Sequence, residues 1–267
     1  MSRTSSMKRY FKVFFRLIFA RAGKELSLRL NLIFENIGSF IFFSLHLISF
    51  KIILDTFQFS GWTTNELWIL MATFQIFTYL SFFLFWKGLT QTVEDIRSGA
   101  LDSVIAKPVN TRFLSFLRSS GLHNFFAFLV GVILLIYFIV KFQVQLSFFQ
   151  LIFYIISLVL SLWLLHCLSV IFVSLNFFFG YIPESSGTVY QFQESFKYPS
   201  SIYFSREFAL KLIFIPLSLL VTFPTTWILS KFSISLLWWT VGVTVIVSLL
   251  SSWIWQKGLK SYSSASS

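Results

Sequence analysis

The chain has 267 residues, of which 56% are hydrophobic and only 12% charged. A soluble domain carries about 25% charged residues, so this chain lacks the charge to cover a water-facing surface, and its 37 phenylalanines suit helices facing lipid. Its net charge of +11 does not signal nucleic acid, because the basic residues flank apolar stretches instead of gathering in one patch, and the single Cys167 excludes an internal disulfide or a cysteine metal cluster.

Residues 7–30 form a basic amphipathic segment. Lys8, Lys12 and Arg16 recur every four residues and share one helical face, with Tyr10, Phe11, Phe14, Leu17 and Ile18 supplying apolar bulk. This pattern predicts a helix lying at the membrane surface with its cations among anionic headgroups. It serves as an orientation anchor or, in addition, touches a cytoplasmic partner. Lys12, Arg16 and Arg21 interrupt it too often for a cleavable signal peptide.

A crossing helix needs about 20 mostly apolar residues. Six stretches qualify, at roughly 31–54, 67–88, 120–140, 146–179, 207–230 and 235–256. The first carries Glu35, Asn36 and His46. The second is uncharged from Leu67 to Trp86. The fifth contains Pro216 and Pro224, which predict a kink. Residues 142–183 are uncharged over nearly enough length for two crossings. No turn signal appears there before Gly180-Tyr181-Ile182-Pro183, so one long tilted helix is expected.

All but Lys51, Lys141 and Lys231 of the 21 lysines and arginines fall in four places: the first 30 residues, the gap after the second span, the gap after the fourth (Lys197, Arg206, Lys211) and the tail from 257. The positive-inside rule then gives six crossings with both termini cytoplasmic. Trp62, Trp68, Trp227, Trp238 and Trp239 fall near outer ends and Trp86, Trp253 and Trp255 near inner ends, as an aromatic belt would. The outer loops are short, Asp55 to Glu66 being the longest, so partners are expected on the cytoplasmic face.

The cytoplasmic gap at 89–118 is the most structured-looking of these. Thr90 to Arg97 can form a short helix with Glu94 and Asp95 ahead of Arg97, and Gly99 offers a stop. Leu101, Val104 and Ile105 make an apolar stripe on a second short helix, which Pro108 ends. The segment is either a protruding foot of two short helices or an ordinary solvated loop.

No catalytic constellation is present. His46, His123 and His166 are scattered and form no H-E-x-x-H, and no G-x-S-x-G occurs. The only Gly-Lys pair, Gly23-Lys24, lacks the earlier glycine of a phosphate-cradling loop. The chain is therefore expected to be no enzyme and to bind no cofactor. Glu35 and His46, about three helical turns apart on one face, are the intramembrane polar candidates for a pathway. Each also has a plainer reading, Glu35 as an interfacial carboxylate and His46 as a helix-to-helix hydrogen bond.

The stretch from Ile96 through Gly99, Leu101, Asp102, Lys107 and Pro108 to Val109 resembles the "G-x-L-(D/E)-x-x-(L/I)-x-(K/T)-P" element of ABC-2 type transporter permeases. Phe196-Lys197-Tyr198-Pro199-Ser200-Ser201-Ile202-Tyr203, followed by Ile215-Pro216 and Phe223-Pro224, is similar to a segment of a six-span bacterial subgroup, as is the tail from Gly258 to Ser266. The resemblance implies an all-α polytopic fold with an N-terminal interface helix. It implies the membrane half of an ABC exporter in the bacterial cytoplasmic membrane, paired with a second permease chain, identical or different. The ATPase would be a separate polypeptide that binds ATP and magnesium. The foot becomes the coupling element, with Glu94, Asp95, Arg97, Gly99, Leu101, Val104, Lys107 and Pro108 meeting the ATPase. The family's outer re-entrant hairpin before the last span has little room between Lys231 and Ser235. A membrane scaffold, or a lipid-modifying membrane enzyme with polar residues converging at one depth, are the competing classes.

Overall fold

A computed structural model describes residues 29–117, 121–182, 185–199 and 220–262, together with 12, 13, 15–17, 19, 20 and 23. The long helices are α1 (Arg29–Thr56), α2 (Thr64–Ser98), α5 (Leu122–Lys141), α6 (Phe148–Phe179) and α9 (Ile234–Ser261). Between them lie α3 (Asp102–Ile105), α4 (Thr111–Leu117), α7 (Ser185–Glu194) and α8 (residues 220–228). Among the described residues there is no strand.

Five of these helices are long and apolar enough to cross a membrane. A single helix, α6, occupies most of the uncharged stretch 142–183, with a break in its hydrogen bonding at Leu175. Most of the expected fifth crossing, including Pro216, lies outside the described residues. Its far end is α8, where Pro224 is buried within helical backbone and leaves the carbonyl of Leu220 without its usual donor.

Local sequence sets the helix ends. Thr63 caps α2: its amide donates to Glu66 Oε2 at 2.8 Å, while the Glu66 amide donates to Thr63 Oγ1 at 3.4 Å. Ser147 and Gln150 repeat this reciprocal cap at the start of α6. Nothing in Leu89–Ser98 breaks a helix, so α2 continues well past its apolar part and stops only at Gly99, whose φ of 77° is left-handed. A π-helical stretch, Phe82–Trp86, sits where α2 leaves its apolar part.

α2 is the central helix and is mostly buried. α5 lies along one side of it, with α1 against α5, and α6 pairs with α9 on the other side. α1, α5, α6 and α9 present open apolar faces through Phe34, Ile41, Ile133, Ile155 and Leu249, as helices bathed in hydrocarbon do. Trp227 and Trp255, expected in the aromatic belt, are buried instead: Trp227 stacks between Phe153 and Phe232, and Trp255 packs on Phe116 and Phe177. The end of the bundle without the foot is tied together by Lys231. Its Nζ lies 2.7 Å from the Glu66 carboxylate, donates to the Gly61 carbonyl at 3.1 Å and sits 5.5 Å from the Trp62 ring.

α7 departs most from the sequence expectation. Lys197 was counted among cations in a gap outside the membrane. Instead, α7 and the 3-10 turn Ser195–Lys197 climb into the bundle beside α2 and α6. Asn176 at the end of α6 bonds Ser185, Tyr190 packs on Phe82 and Trp86, Gln193 bonds Ser81, and Tyr198 stacks on Phe59 of the far loop. Lys197 and Glu194 pair at 3.2 Å, so neither of these two charges is left alone within the bundle.

Candidate functional site

The foot is the continuation of α2 from Lys87 to Ser98 with α3 and α4 folded against it. At Gly88 the two backbones touch: an added Cβ would lie 1.9 Å from the Phe116 carbonyl oxygen. Thr92 Oγ1 donates to the Gly88 carbonyl at 2.6 Å and approaches the Ser115 carbonyl at 3.3 Å, so a buried hydroxyl bridges α2 to α4. Phe116 then packs edge-on against His166 and against Trp255, joining the foot to α6 and α9.

Leu101, Val104 and Leu114 form a cluster of their own, closed by Leu17, Ile96, Phe177, Leu259 and Tyr262. Leu17 belongs to the N-terminal segment, whose described residues are helical, with Lys12 and Arg16 exposed. Lys8 and Tyr10 lie outside the described residues. The spacing of Leu101 and Val104 predicts an apolar stripe, and the family resemblance implies that they meet the ATPase. Both are fully buried, because their side chains hold α3 onto the bundle through the Leu114 cluster, and Ile105 is the member of that stripe that is exposed.

Asp95 also faces inward and accepts from Gln91 Nε2 at 3.1 Å. Glu94 and Arg97 stand on the open side and form a two-pronged ion pair, with Arg97 also 5.3 Å from the Tyr181 ring. The guanidinium's hydrogen bonds hold the Glu94 carboxyl below the usual carboxylate range and raise Arg97 in return. Lys107 and Pro108 are exposed beyond α3. The outward rim of the foot is thus Glu94, Arg97, Ile105, Lys107 and Pro108.

The second polar feature is inside the bundle. Glu194 of α7 lies between two cations or proton acceptors: His46 Nε2 of α1 at 3.5 Å and Lys197 Nζ at 3.2 Å. The His46 ring is 6.1 Å from that of Phe74. From Phe74 to Trp86, where α2 loses its apolar character, is about 18 Å at 1.5 Å per residue. In a hydrocarbon core about 30 Å thick the group sits near mid-depth. Tyr79 donates to the Ser39 carbonyl at 3.2 Å, and Gln193 donates to Ser81 at 3.0 Å. These polar groups form a strip along the inside of the bundle, about 10 Å long from His46 to Ser39, and it is not legible in the sequence because Gln193 and Glu194 arrive on α7. Glu35 and His46 do not act together. Glu35 pairs with His123 of α5 at 3.1 Å and with Asn31, toward the foot end of α1.

Among the described residues no cluster of His, Cys, Asp and Glu could hold a metal ion. The arrangement offers mechanical linkage and a sheltered polar strip. The protein is a polytopic α-helical membrane protein with a helical foot docked at its basic end. Its sequence matches the ABC-2 family transporter proteins over residues 30–266, and the chain belongs to that family, the membrane-spanning component of ABC transporters. No curated protein and no solved structure matches it.

Proposed function

We propose that this chain is the permease subunit of an ABC exporter, driven by a separate ATPase seated on the foot. The basic end then faces the cytoplasm with both termini. The fifth apolar stretch of the sequence completes six crossings of a bacterial cytoplasmic membrane, and a second permease chain, identical or different, closes the pathway. ATP and magnesium bind the partner subunit.

One observation carries this reading: the foot is not a loop but the rigid end of the most buried of the five long helices. Glu94 and Arg97 stand on the same helix as Leu67–Trp86, and the Gly88–Phe116 contact clamps α4 to it. Displacement applied at the rim by an ATPase therefore moves α2 and, through α5 and α6, the whole bundle, which has discrete packed arrangements. Short loops at the opposite end, such as the one after Thr56, leave no platform for a substrate-delivering domain, which favours export.

Solubilisation in mild detergent followed by capture on a tagged chain tests the reading. A P-loop ATPase should co-purify with the unmodified chain and be lost from an Ile105→Asp, Lys107→Glu double variant. Retention by the variant contradicts the foot as the docking surface. Absence of any ATPase from the unmodified chain favours the membrane scaffold.

A further inference from the structure

A cavity of about 690 Å³ opens at the basic end between α4, α6 and α9. Trp163, Trp255 and Leu259 supply apolar walls, Arg112 the polar floor, and Asn110 and Gln256 the rim. Arg112 was one basic residue among many in the sequence, but the fold sets it apart. Its Nη1 donates to Ser252 Oγ at 2.9 Å, its Nη2 to Cys167 Sγ at 3.4 Å, and its guanidinium carbon lies 5.8 Å from the Trp163 ring. All of these partners are neutral, and among the described residues no carboxylate pairs with it. A guanidinium carries five N–H donors, so most remain available to the cavity.

A half-buried cation without a counter-charge is costly, and an anion in the cavity would relieve it. The walls say which kind. Trp163 is 48% exposed on the outer face of α6, and Leu249, Leu250 and Trp253 are exposed on the neighbouring face of α9. A groove continuous with hydrocarbon and ending on a guanidinium matches a molecule with an acyl chain and an acidic head, as basic pockets between membrane helices do elsewhere. Lys257, stacked 3.9 Å over Trp253, marks the headgroup level on the same helix.

We propose that this cavity binds one anionic phospholipid of the adjacent leaflet, its phosphate on Arg112 and an acyl chain against Trp163. The lipid ties α4 to α6 and α9 and so stiffens the foot. Its binding needs only the membrane fold, whether or not an ATPase sits on the foot.

The test uses the full chain in nanodiscs of mixed phosphatidylglycerol and phosphatidylcholine, with retained lipid counted by native mass spectrometry. One phosphatidylglycerol should survive delipidation while phosphatidylcholine is lost. Arg112→Gln should lower that retention about tenfold, the value of one charged hydrogen-bonding group, and Lys257→Gln at the same depth should leave it intact. Equal loss in both variants, or no loss in Arg112→Gln, overturns the assignment. A second readout requires no change at Arg112. Chain-brominated phosphatidylglycerol should quench the unmodified protein more than Trp163→Phe, and equal quenching overturns the proposed chain position. Displacement of the lipid by millimolar inorganic phosphate would reassign the cavity to a soluble phosphate and overturn the lipid.

Discussion

Gly88 and Phe116 meet backbone to backbone, the glycine leaving so little space that a methyl group there would fall 1.9 Å from the Phe116 carbonyl oxygen. The obstacle is main chain, so no side-chain rotation relieves it. Gly88→Ala must therefore push α4 away from α2, at a cost of about 1–3 kcal/mol or more for overpacking against backbone. Thermal unfolding in detergent should fall accordingly, and proteolysis within residues 99–117 should quicken. An unchanged unfolding temperature would mean that α4 is not held there.

The buried group around Glu194 gives a second expectation. Glu194→Gln removes the counter-charge of Lys197 deep in the bundle, where the two side chains are 23% and 17% exposed. Stranding a largely buried cation costs about 2–4 kcal/mol after allowing for that exposure. The double variant Glu194→Gln, Lys197→Met should recover most of the loss, because no charge is left unpaired. A double-mutant cycle on unfolding temperature checks it. Additive losses would place Lys197 in contact with water and α7 outside the bundle.

At the opposite end, burial alone would raise the Glu66 carboxyl, but hydrogen bonds from Lys231 and from Thr63 outweigh it and leave it below its ordinary value of 4.5. A carboxylate depressed in the folded state stabilises above the unfolded value and loses that contribution as pH falls through the lowered one. Lys231→Met should therefore cost about 0.5–1 kcal/mol at neutral pH, and the difference from the unmodified chain should shrink as pH falls below 4.5 and vanish below the lowered value. Unfolding followed across that range tests the sign; a gap that widens in acid contradicts it.

Glu94 and Asp95, adjacent acidic residues of the foot, should separate cleanly. Glu94→Ala and Arg97→Ala alter an exposed pair and should leave the unfolding temperature unchanged while reducing ATP-driven transport. Asp95→Ala removes a buried acceptor of the Gln91 amide and should cost about 1–3 kcal/mol. If Asp95→Ala is neutral and Glu94→Ala destabilises, the inward and outward faces of this helix have been assigned the wrong way round.

The sequence carried the α-helical membrane class and much of the helix layout, because apolar runs and the cations between them are local signals. The stop at Gly99 was equally local, and it explains why α2 could be expected to end there. The first part of the foot was expected as a separate short helix; Trp86 to Thr90 contains no proline, the helix accommodates Gly88 where α4 packs against it, and it runs through. α7 was not legible. Lys197, in the turn that follows it, reads as a cytoplasmic cation until Glu194 and His46 meet beside it in the bundle, and the Gln193–Ser81 bond joins residues 112 apart. Arg112 was hidden for the converse reason. A single arginine in a basic gap looks like its neighbours, and only the fold of α4 against α6 and α9 sets its depth.

Site-specific cross-linking reads the coupling claim most directly. Cys167 is buried, so a cysteine introduced on the foot is the reactive one. With the co-purified ATPase in place, Ile105→Cys should cross-link to it and Leu101→Cys, pointing into the bundle, should not. Equal cross-linking from both positions, or none from Ile105→Cys while the ATPase remains bound, would contradict the foot as the surface through which that subunit moves α2.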